Sequence, residues 1–273
     1  GLALWYLSVY ASFGFYHLVP ESFAGIGMIC VTDIGAALSL WYDAKPLFAF
    51  SQLGGFLTPI IFTGMFNHPH TLFPYLIVLT LGSFIVLSRK PWAEISLLHL
   101  ASVTILVATW HFSAYTTQDL WLQFIYTTIL AVLFVGNSIM VRRRSTGEAT
   151  GYEITSLCTV PLLYVLLNAI QLHLQADAYT GLFIALVGIV YGVLALTIAR
   201  TLDARGRVLC DVFAGMSAVL LIIAVPVQFS GFTISLMWAS EALVLIIAGI
   251  VLHEKRYRTL GLTLFAITFF EVL

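Results

Sequence analysis

Charged side chains are scarce in this 273-residue chain. Asp, Glu, Lys and Arg together make up 9% of the residues, whereas soluble domains carry roughly a quarter. So few charges cannot cover the surface of a soluble globular protein of this length. The 12 basic and 13 acidic residues also nearly cancel, which argues against a nucleic-acid partner.

Cysteines and the short motifs of common enzyme classes are equally sparse. Cys30, Cys158 and Cys210 lie far apart, with no CxxC or Cys/His spacing, so we interpret them as inert small hydrophobes. The sequence contains no HExxH or GxSxG string and no Gly-rich phosphate loop. We therefore expect neither a metal nor another cofactor, and an enzyme is the less favoured reading.

Long apolar runs dominate what is present, because hydrophobic residues make up 60% of the chain. The runs match the ~20 residues that cross a hydrocarbon core about 30 Å thick. In lipid, backbone groups must be bonded within the segment, and the runs lack the alternation of barrel strands. The prediction is an all-α, polytopic transmembrane helix bundle with about 11 spanning helices. The predicted helices cover residues 1–19, 22–42, 46–66, 71–88, 93–113, 119–141, 153–172, 178–199, 208–227, 232–252 and 258–273.

The longest polar break divides these helices into two groups. Residues 142–152 read RRRSTGEATGY, a composition typical of a loop. We interpret residues 1–141 as a six-helix membrane region and residues 153–273 as a five-helix membrane region, with a basic cytoplasmic loop between them. Both chain ends fall inside apolar runs, so we expect both to be truncated.

The basic residues occupy alternate breaks between the predicted helices. All of them lie in the even-numbered breaks or, for Arg258, at the first residue of the following helix, and the odd-numbered breaks contain none. Because Lys and Arg concentrate in cytoplasmic loops, the alternation supports the helix count and predicts that these loops are cytoplasmic. The basic residues are Lys45, Arg89, Lys90, Arg142, Arg143, Arg144, Arg200, Arg205, Arg207, Lys255, Arg256 and Arg258.

Two carboxylic acids lie near the middle of predicted helices, Asp33 and Glu241. Ionisable groups at that depth are costly unless they face the bundle interior or water. One interpretation is a proton or cation site, and the alternative is a protonated carboxyl that bonds a neighbouring helix. Trp238 precedes Glu241 by three residues, so the two share a helix face and the indole can shield the carboxyl from lipid.

Two further features are candidates for an ion or ligand pathway. Gly54, Gly55 and Pro59 interrupt the third span and free backbone carbonyls for a ligand, although a kink buried in protein is the alternative. His99 begins a mildly polar face of the fifth span, and such a face more often packs against another helix than lines a pore. The members of that face are His99, Ser102, Thr109 and Ser113.

Small residues recur on one face of the eighth predicted helix at spacings of three and four. This pattern includes a GxxxG string and predicts close packing against a neighbouring helix. The residues are Gly181, Ala185, Gly188, Gly192 and Ala195.

Three strings resemble a known bacterial family of predicted membrane proteins, catalogued as domain of unknown function 2339. They are LALWYLSVYASFGFYHLVP at 2–20, GGFLTPI at 54–60 and VPVQFSGFTISLMWASEALVLIIAG at 225–249. The resemblance implies a long multispanning protein of the bacterial inner membrane. It implies no activity and no catalytic residues.

Three functional hypotheses remain open. The first is a transporter-like bundle with an internal carboxylate site at Glu241 or Asp33. The second is a membrane scaffold or envelope-assembly component without small-molecule chemistry. The third is an intramembrane lipid-modifying enzyme with Glu241 or His99 as general base. The expected partners are the lipid bilayer and either other membrane proteins or the remaining helices of the parent chain.

Overall fold

The computed structural model describes residues 1–62, 68–90, 92–144, 149–201, 206–251 and 255–272. These ranges contain eleven α-helices and no β-strand. A 3-10 turn, Asp177–Tyr179, joins the seventh helix to the eighth without a break, so the described helical runs number ten. The helices are α1 (Leu2–Gly14), α2 (Glu21–Trp41), α3 (Lys45–Ile61), α4 (Pro69–Arg89), α5 (Ala93–Ser113), α6 (Leu120–Arg144), α7 (Gly151–Ala176), α8 (Thr180–Thr201), α9 (Arg207–Gln228), α10 (Phe232–Val251) and α11 (Lys255–Val272).

Six of the described helical runs are long and apolar enough to cross a membrane, and one of them contains both α7 and α8. The all-α polytopic fold is therefore confirmed, while the expected count of about 11 spans is slightly too high. Helix α1 illustrates the reason, because it has only 13 residues although its apolar run continues to Val19. The backbone at His17 takes a positive φ of 49°, a conformation that does not continue a right-handed helix.

The chain forms two compact units. Unit 1 comprises the described residues of 1–168 and 202–209, and unit 2 comprises those of 169–201 and 210–272. The predicted division at residues 142–152 remains a prediction about domain organisation. Within that segment, Arg142–Arg144 end α6 and Gly151–Tyr152 begin α7, and residues 145–148 lie outside the described ranges.

In unit 1, helices α4, α5 and α6 surround an aromatic and aliphatic core. Trp110 and Phe73 are fully buried, with ring centroids 5.0 Å apart in an edge-to-face contact. Phe73 also stacks on Tyr126 at 4.9 Å. Such pairs stabilise a core beyond their area of burial. Helix α2 packs against α1, α3 and α4.

Three of the polar segments that contain Lys or Arg lie together at one end of unit 1, which we call the basic end. Lys90 Nζ lies 2.8 Å from Asp43 Oδ1, and Lys45 Nζ lies 2.7 Å from Glu94 Oε2. Arg144 donates to the carbonyl oxygen of Ser88 at 2.8 Å. These exposed contacts contribute little stability, but they bring the second, fourth and sixth breaks of the chain together.

In unit 2, α10 packs along α11, with Gly261 against the backbone of Ala242 and Ile246. A Cβ on Gly261 would lie 2.8 Å from the carbonyl oxygen of Ala242. Large apolar side chains such as Leu186 and Val193 are exposed on α8. An outward apolar surface of this kind suits contact with lipid.

Candidate functional site

A buried imidazole, His99 of α5, lies at the centre of unit 1 with 2% of its surface exposed. Its Nδ1 lies 2.9 Å from Gln52 Oε1 and 3.0 Å from Ser83 Oγ. Its Nε2 lies 3.1 Å from Thr80 Oγ1. Three helices, α3, α4 and α5, therefore contribute side chains to one polar cluster, which we call the His99 cluster. It consists of Gln52, Thr80, Ser83 and His99.

Aromatic rings enclose the imidazole on its remaining sides. The Phe56 ring meets it edge-on with centroids 4.9 Å apart, and the Phe134 ring lies at 5.6 Å. The adjoining cavity has a volume of only about 10 Å³, roughly the minimum for one water. A lipid substrate has no space beside this imidazole, so the geometry gives no support to His99 as the base of a lipid-modifying enzyme.

Two hydrogen-bond arrangements fit the neutral imidazole. With the proton on Nε2, His99 donates to Thr80 Oγ1, whose own hydroxyl donates to the Leu76 carbonyl at 2.7 Å, and Nδ1 accepts from Ser83. With the proton on Nδ1, His99 donates to Gln52 Oε1, and Thr80 turns its hydroxyl to Nε2. Each arrangement needs one partner to rotate, the Gln52 amide in the first and the Thr80 hydroxyl in the second. The geometry around His99 is therefore compatible with either neutral tautomer.

The predicted interruption of the third span lies in the helix that supplies Gln52. Pro59 has no N–H group, so the carbonyl four residues earlier, that of Gly55, loses its helical donor. The Tyr75 hydroxyl of α4 donates to this oxygen at 2.5 Å. The freed carbonyl is thus bonded within the protein, which corresponds to the buried-kink alternative for Gly54, Gly55 and Pro59. Gly54 itself allows close contact with Tyr6, whose ring would lie 2.4 Å from an added Cβ.

The same arrangement occurs in unit 2. Pro226 in α9 frees the carbonyl of Ile222, and the Trp238 indole of α10 donates to that oxygen at 3.1 Å. Trp238 thus donates a hydrogen bond to the neighbouring helix. The sequence analysis interpreted Trp238 only as a shield between Glu241 and lipid, and did not predict this contact. Each unit therefore has a proline-freed carbonyl bonded by an aromatic donor of another helix.

The two candidate carboxylates differ in their surroundings. Glu241 of α10 has one carboxylate oxygen, Oε1, that is buried without a hydrogen-bond partner among the described residues. Asp33 of α2 is exposed on the surface of unit 1 and lies beside Gly82 of α4, where an added Cβ would be 3.3 Å from Oδ1. The structure does not bring Asp33 into the His99 cluster.

The small-residue face of α8 lies against α9 within unit 2. An added Cβ on Gly188 would be 3.2 Å from Leu221, and one on Gly192 would be 2.9 Å from Ser217. At Gly181 an added Cβ would lie 2.4 Å from the Cβ of Gln228. The Gln228 amide donates to the Ala178 carbonyl and accepts from the Leu182 N–H, both at 3.0 Å. Ala195 is buried and Ala185 is half-buried on the same helix.

The polar face predicted for α5 divides in the structure. Ser102, Thr109 and Ser113 donate to carbonyls of their own helix and do not join His99. The partners of His99 are single polar residues on other helices. Periodicity within one helix does not indicate which residues of other helices it contacts. The sequence analysis therefore did not identify Gln52, Thr80 and Ser83 as partners of His99. Hydroxyl and amide side chains inside apolar runs do, however, indicate hydrogen bonds between helices.

A buried ion pair at the basic end was also missed. Arg142 Nη1 lies 3.2 Å from Glu153 Oε2, and their side chains are 6% and 15% exposed. Because both residues stand beside a polar loop in the sequence, the expectation was a solvated basic segment. Helix α6 extends to Arg144 and helix α7 begins at Gly151. Both members of the pair therefore lie in helices and not in the loop.

A multispanning α-helical membrane protein with buried polar clusters between its helices is the class that these features define. A family model described as "Predicted membrane protein (DUF2339)" matches residues 1–272. The chain belongs to this family, as the three strings in the sequence indicated. No curated protein and no solved structure matches the chain.

Proposed function

We propose that this membrane protein is transporter-like and that His99 passes protons through the centre of unit 1. The observation that carries the proposal is that both ring nitrogens of a fully buried imidazole contact polar side chains. An ionisable side chain at the core of a membrane bundle is costly and typically functional. His99 thereby takes the role that the sequence suggested for a carboxylate, and Glu241, with its unpartnered oxygen, is the corresponding candidate in unit 2.

The proposal includes an orientation. The alternation of basic breaks favours a cytoplasmic basic end under the positive-inside rule, and the family resemblance favours the bacterial inner membrane. Protons would then pass between the two aqueous phases by way of His99, which contacts α3 through Gln52.

Proton flux in proteoliposomes tests the proposal directly. Purified protein is reconstituted with a pH-sensitive dye in the lumen, and a potassium diffusion potential drives protons inward. We expect lumen acidification with the wild type and acidification at the protein-free rate with His99→Phe. His111→Gln is the matched control, because His111 is also buried on α5 but contacts Gln123 instead. It should retain the wild-type rate.

A second variant keeps the test valid if His99→Phe fails to fold. Thr80→Val removes the partner of Nε2 while preserving the size of the side chain, and it should slow the flux. Solid-state NMR of ¹⁵N-labelled histidine in bilayers should also detect both neutral arrangements of His99 in exchange. A folded wild type without flux, with His99 locked in one arrangement, would overturn the proposal.

A scaffold is the second candidate, and the tight packing around His99 favours it. With a cavity of about 10 Å³, the His99 cluster also fits a purely structural role in holding α3, α4 and α5 together. A scaffold predicts that replacing His99 lowers stability while the wild type conducts no protons. The flux experiment therefore separates the two candidates.

A further inference from the structure

Two small cavities lead from the basic end of unit 1 toward His99. The first, of about 20 Å³, lies beside the Arg142–Glu153 pair and is also lined by Ser156. The second, of about 10 Å³, lies beside His99. Asn137 and Ser96 line both cavities. The two volumes are therefore neighbours with shared polar walls.

Polar atoms along this route lack partners in the part of the chain that the structure describes. Asn137 Oδ1 and Ser156 Oγ are buried without a hydrogen bond to any described residue, and their residues are 5% and 2% exposed. Buried polar atoms are almost always hydrogen-bonded to protein or to ordered water. A cavity needs roughly 10–15 Å³ and two to four polar partners to hold one water. The first cavity meets both conditions, and the second lies at the lower limit of volume.

We propose that buried waters in these cavities connect the Arg142–Glu153 pair, through Asn137 and Ser96, to His99. The proposal deepens the proposed function on which it rests, because it assigns the side from which the imidazole exchanges protons. Asn137 Oδ1 and Ser156 Oγ each accept a hydrogen bond from water in the first cavity. A water in the second cavity then bridges Asn137 to the polar side chains around His99.

Both cavities lie on the side of His99 that faces the basic end. The titratable groups that line the two cavities are Arg142, Glu153 and His99, and the first two belong to the basic end. On the other side of His99, most buried side chains of α4 and α5 are apolar, such as Leu76, Leu79, Leu106 and Phe73. The polar groups among them are the Trp110 N–H, the Tyr75 hydroxyl, which donates to the Gly55 carbonyl, and the His111 ring, which contacts Gln123. Protons therefore reach His99 from the basic end in this conformation, and their release on the opposite side requires the apolar cluster beyond His99 to open.

Water-edited solid-state NMR in lipid bilayers tests this route. Protein labelled with ¹⁵N at asparagine and histidine receives magnetisation from water, and the Asn137 amide and the His99 ring should both respond. Asn168 is the internal control, because it is fully buried and its amide donates to Thr127 Oγ1 and to the Tyr164 carbonyl. It should receive far less magnetisation. Asn137→Leu and His99→Gln assign the two signals.

The Asn137→Leu variant then blocks the route with a side chain of similar size. We expect the water signal at His99 to disappear and proton flux to fall, while Ser102→Ala, a change on α5 that lines neither cavity, has no effect. Water at Asn137 and His99 in a protein without flux would support the route and overturn the proposed function. Absence of water at Asn137, or undiminished flux in a folded Asn137→Leu variant, would overturn the route and leave the proposed function standing.

Discussion

The Tyr75 hydroxyl donates to the Gly55 carbonyl at 2.5 Å, and this bond replaces the helical hydrogen bond that Pro59 cannot make. The two residues belong to different helices, α4 and α3. A backbone defect in one helix is thus used to fix its position against another. The arrangement also holds Gln52, on the same helix as Gly55, next to His99.

Tyr75→Phe should lower the free energy of unfolding in mixed micelles by about 1 kcal/mol, because it leaves a buried carbonyl without a donor. In a Pro59→Ala background the alanine N–H can bond Gly55 itself, so the same change should cost less. A double-mutant cycle measures the difference. Tyr126→Phe, which keeps a ring stacked on Phe73, serves as the control. Additive costs in the cycle would contradict this account of Pro59 and Tyr75.

The equivalent pair in unit 2 gives an independent test. Trp238→Phe keeps an aromatic ring but removes the N–H that bonds Ile222, and we expect a loss of about 1 kcal/mol. Pro226→Ala should reduce that loss, since it restores the helical donor. Trp121→Phe, at a site that is 75% exposed, should change stability little. Equal losses with and without Pro226 would mean that Trp238 stabilises the unit by packing alone.

The fold class was predictable from the sequence, but the partners inside it were not. Runs of apolar residues and the absence of charge within them determine helices in lipid, so the helical membrane architecture follows from local composition. The family was indicated by the resemblance of three sequence strings. Contacts such as that between His99 and Gln52 join residues 47 positions apart. Helix periodicity shows which residues share one helix face, but it does not show which face of another helix meets it.

The helix count was overestimated for a related reason. Hydropathy marks where a span is energetically tolerated in lipid, whereas the backbone conformation determines where a helix ends. Helix α1 ends at Gly14, and His17, just beyond it, has a positive φ. The interpretation of Pro59 as a kink followed from covalent chemistry, because a missing N–H is a local property. The identity of the replacement donor, Tyr75, depends on packing and could not be read from the sequence.

Gly181 and Gly215 provide a matched pair of glycines in unit 2. A Cβ at Gly181 would lie 2.4 Å from Gln228, whereas one at Gly215 would have no atom within 4 Å. Gly181→Ala should therefore destabilise the unit by about 1–3 kcal/mol through overpacking. Gly215→Ala should be neutral or stabilise by up to about 1 kcal/mol, as expected for alanine within a helix. Thermal unfolding in detergent compares the two, and equal effects would refute close packing of α8 on α9.

Removing one partner of the buried pair at the basic end should be costly. Arg142→Met or Glu153→Leu alone removes one of the two charges of this largely buried pair, with an expected loss of about 3–5 kcal/mol. The double variant Arg142→Met/Glu153→Leu removes both charges and should recover much of that loss. Glu94→Gln breaks the pair with Lys45, whose side chains are 42% and 47% exposed, and should cost less than about 1 kcal/mol. A double variant as unstable as the sum of the singles would contradict the pairing.

The orientation of the chain can be measured with single cysteines in a background where Cys30, Cys158 and Cys210 are replaced by serine. Thr117 and Ser230 occupy breaks without basic residues, whereas Thr150 follows the arginine cluster that ends α6. Because the positive-inside rule retains Lys and Arg in the cytoplasm, Thr117→Cys and Ser230→Cys should react with an impermeant maleimide in intact cells. Thr150→Cys should react only after the membrane is permeabilised. Labelling of Thr150→Cys in intact cells would reverse the orientation, and protons would then enter the route to His99 from outside the cell.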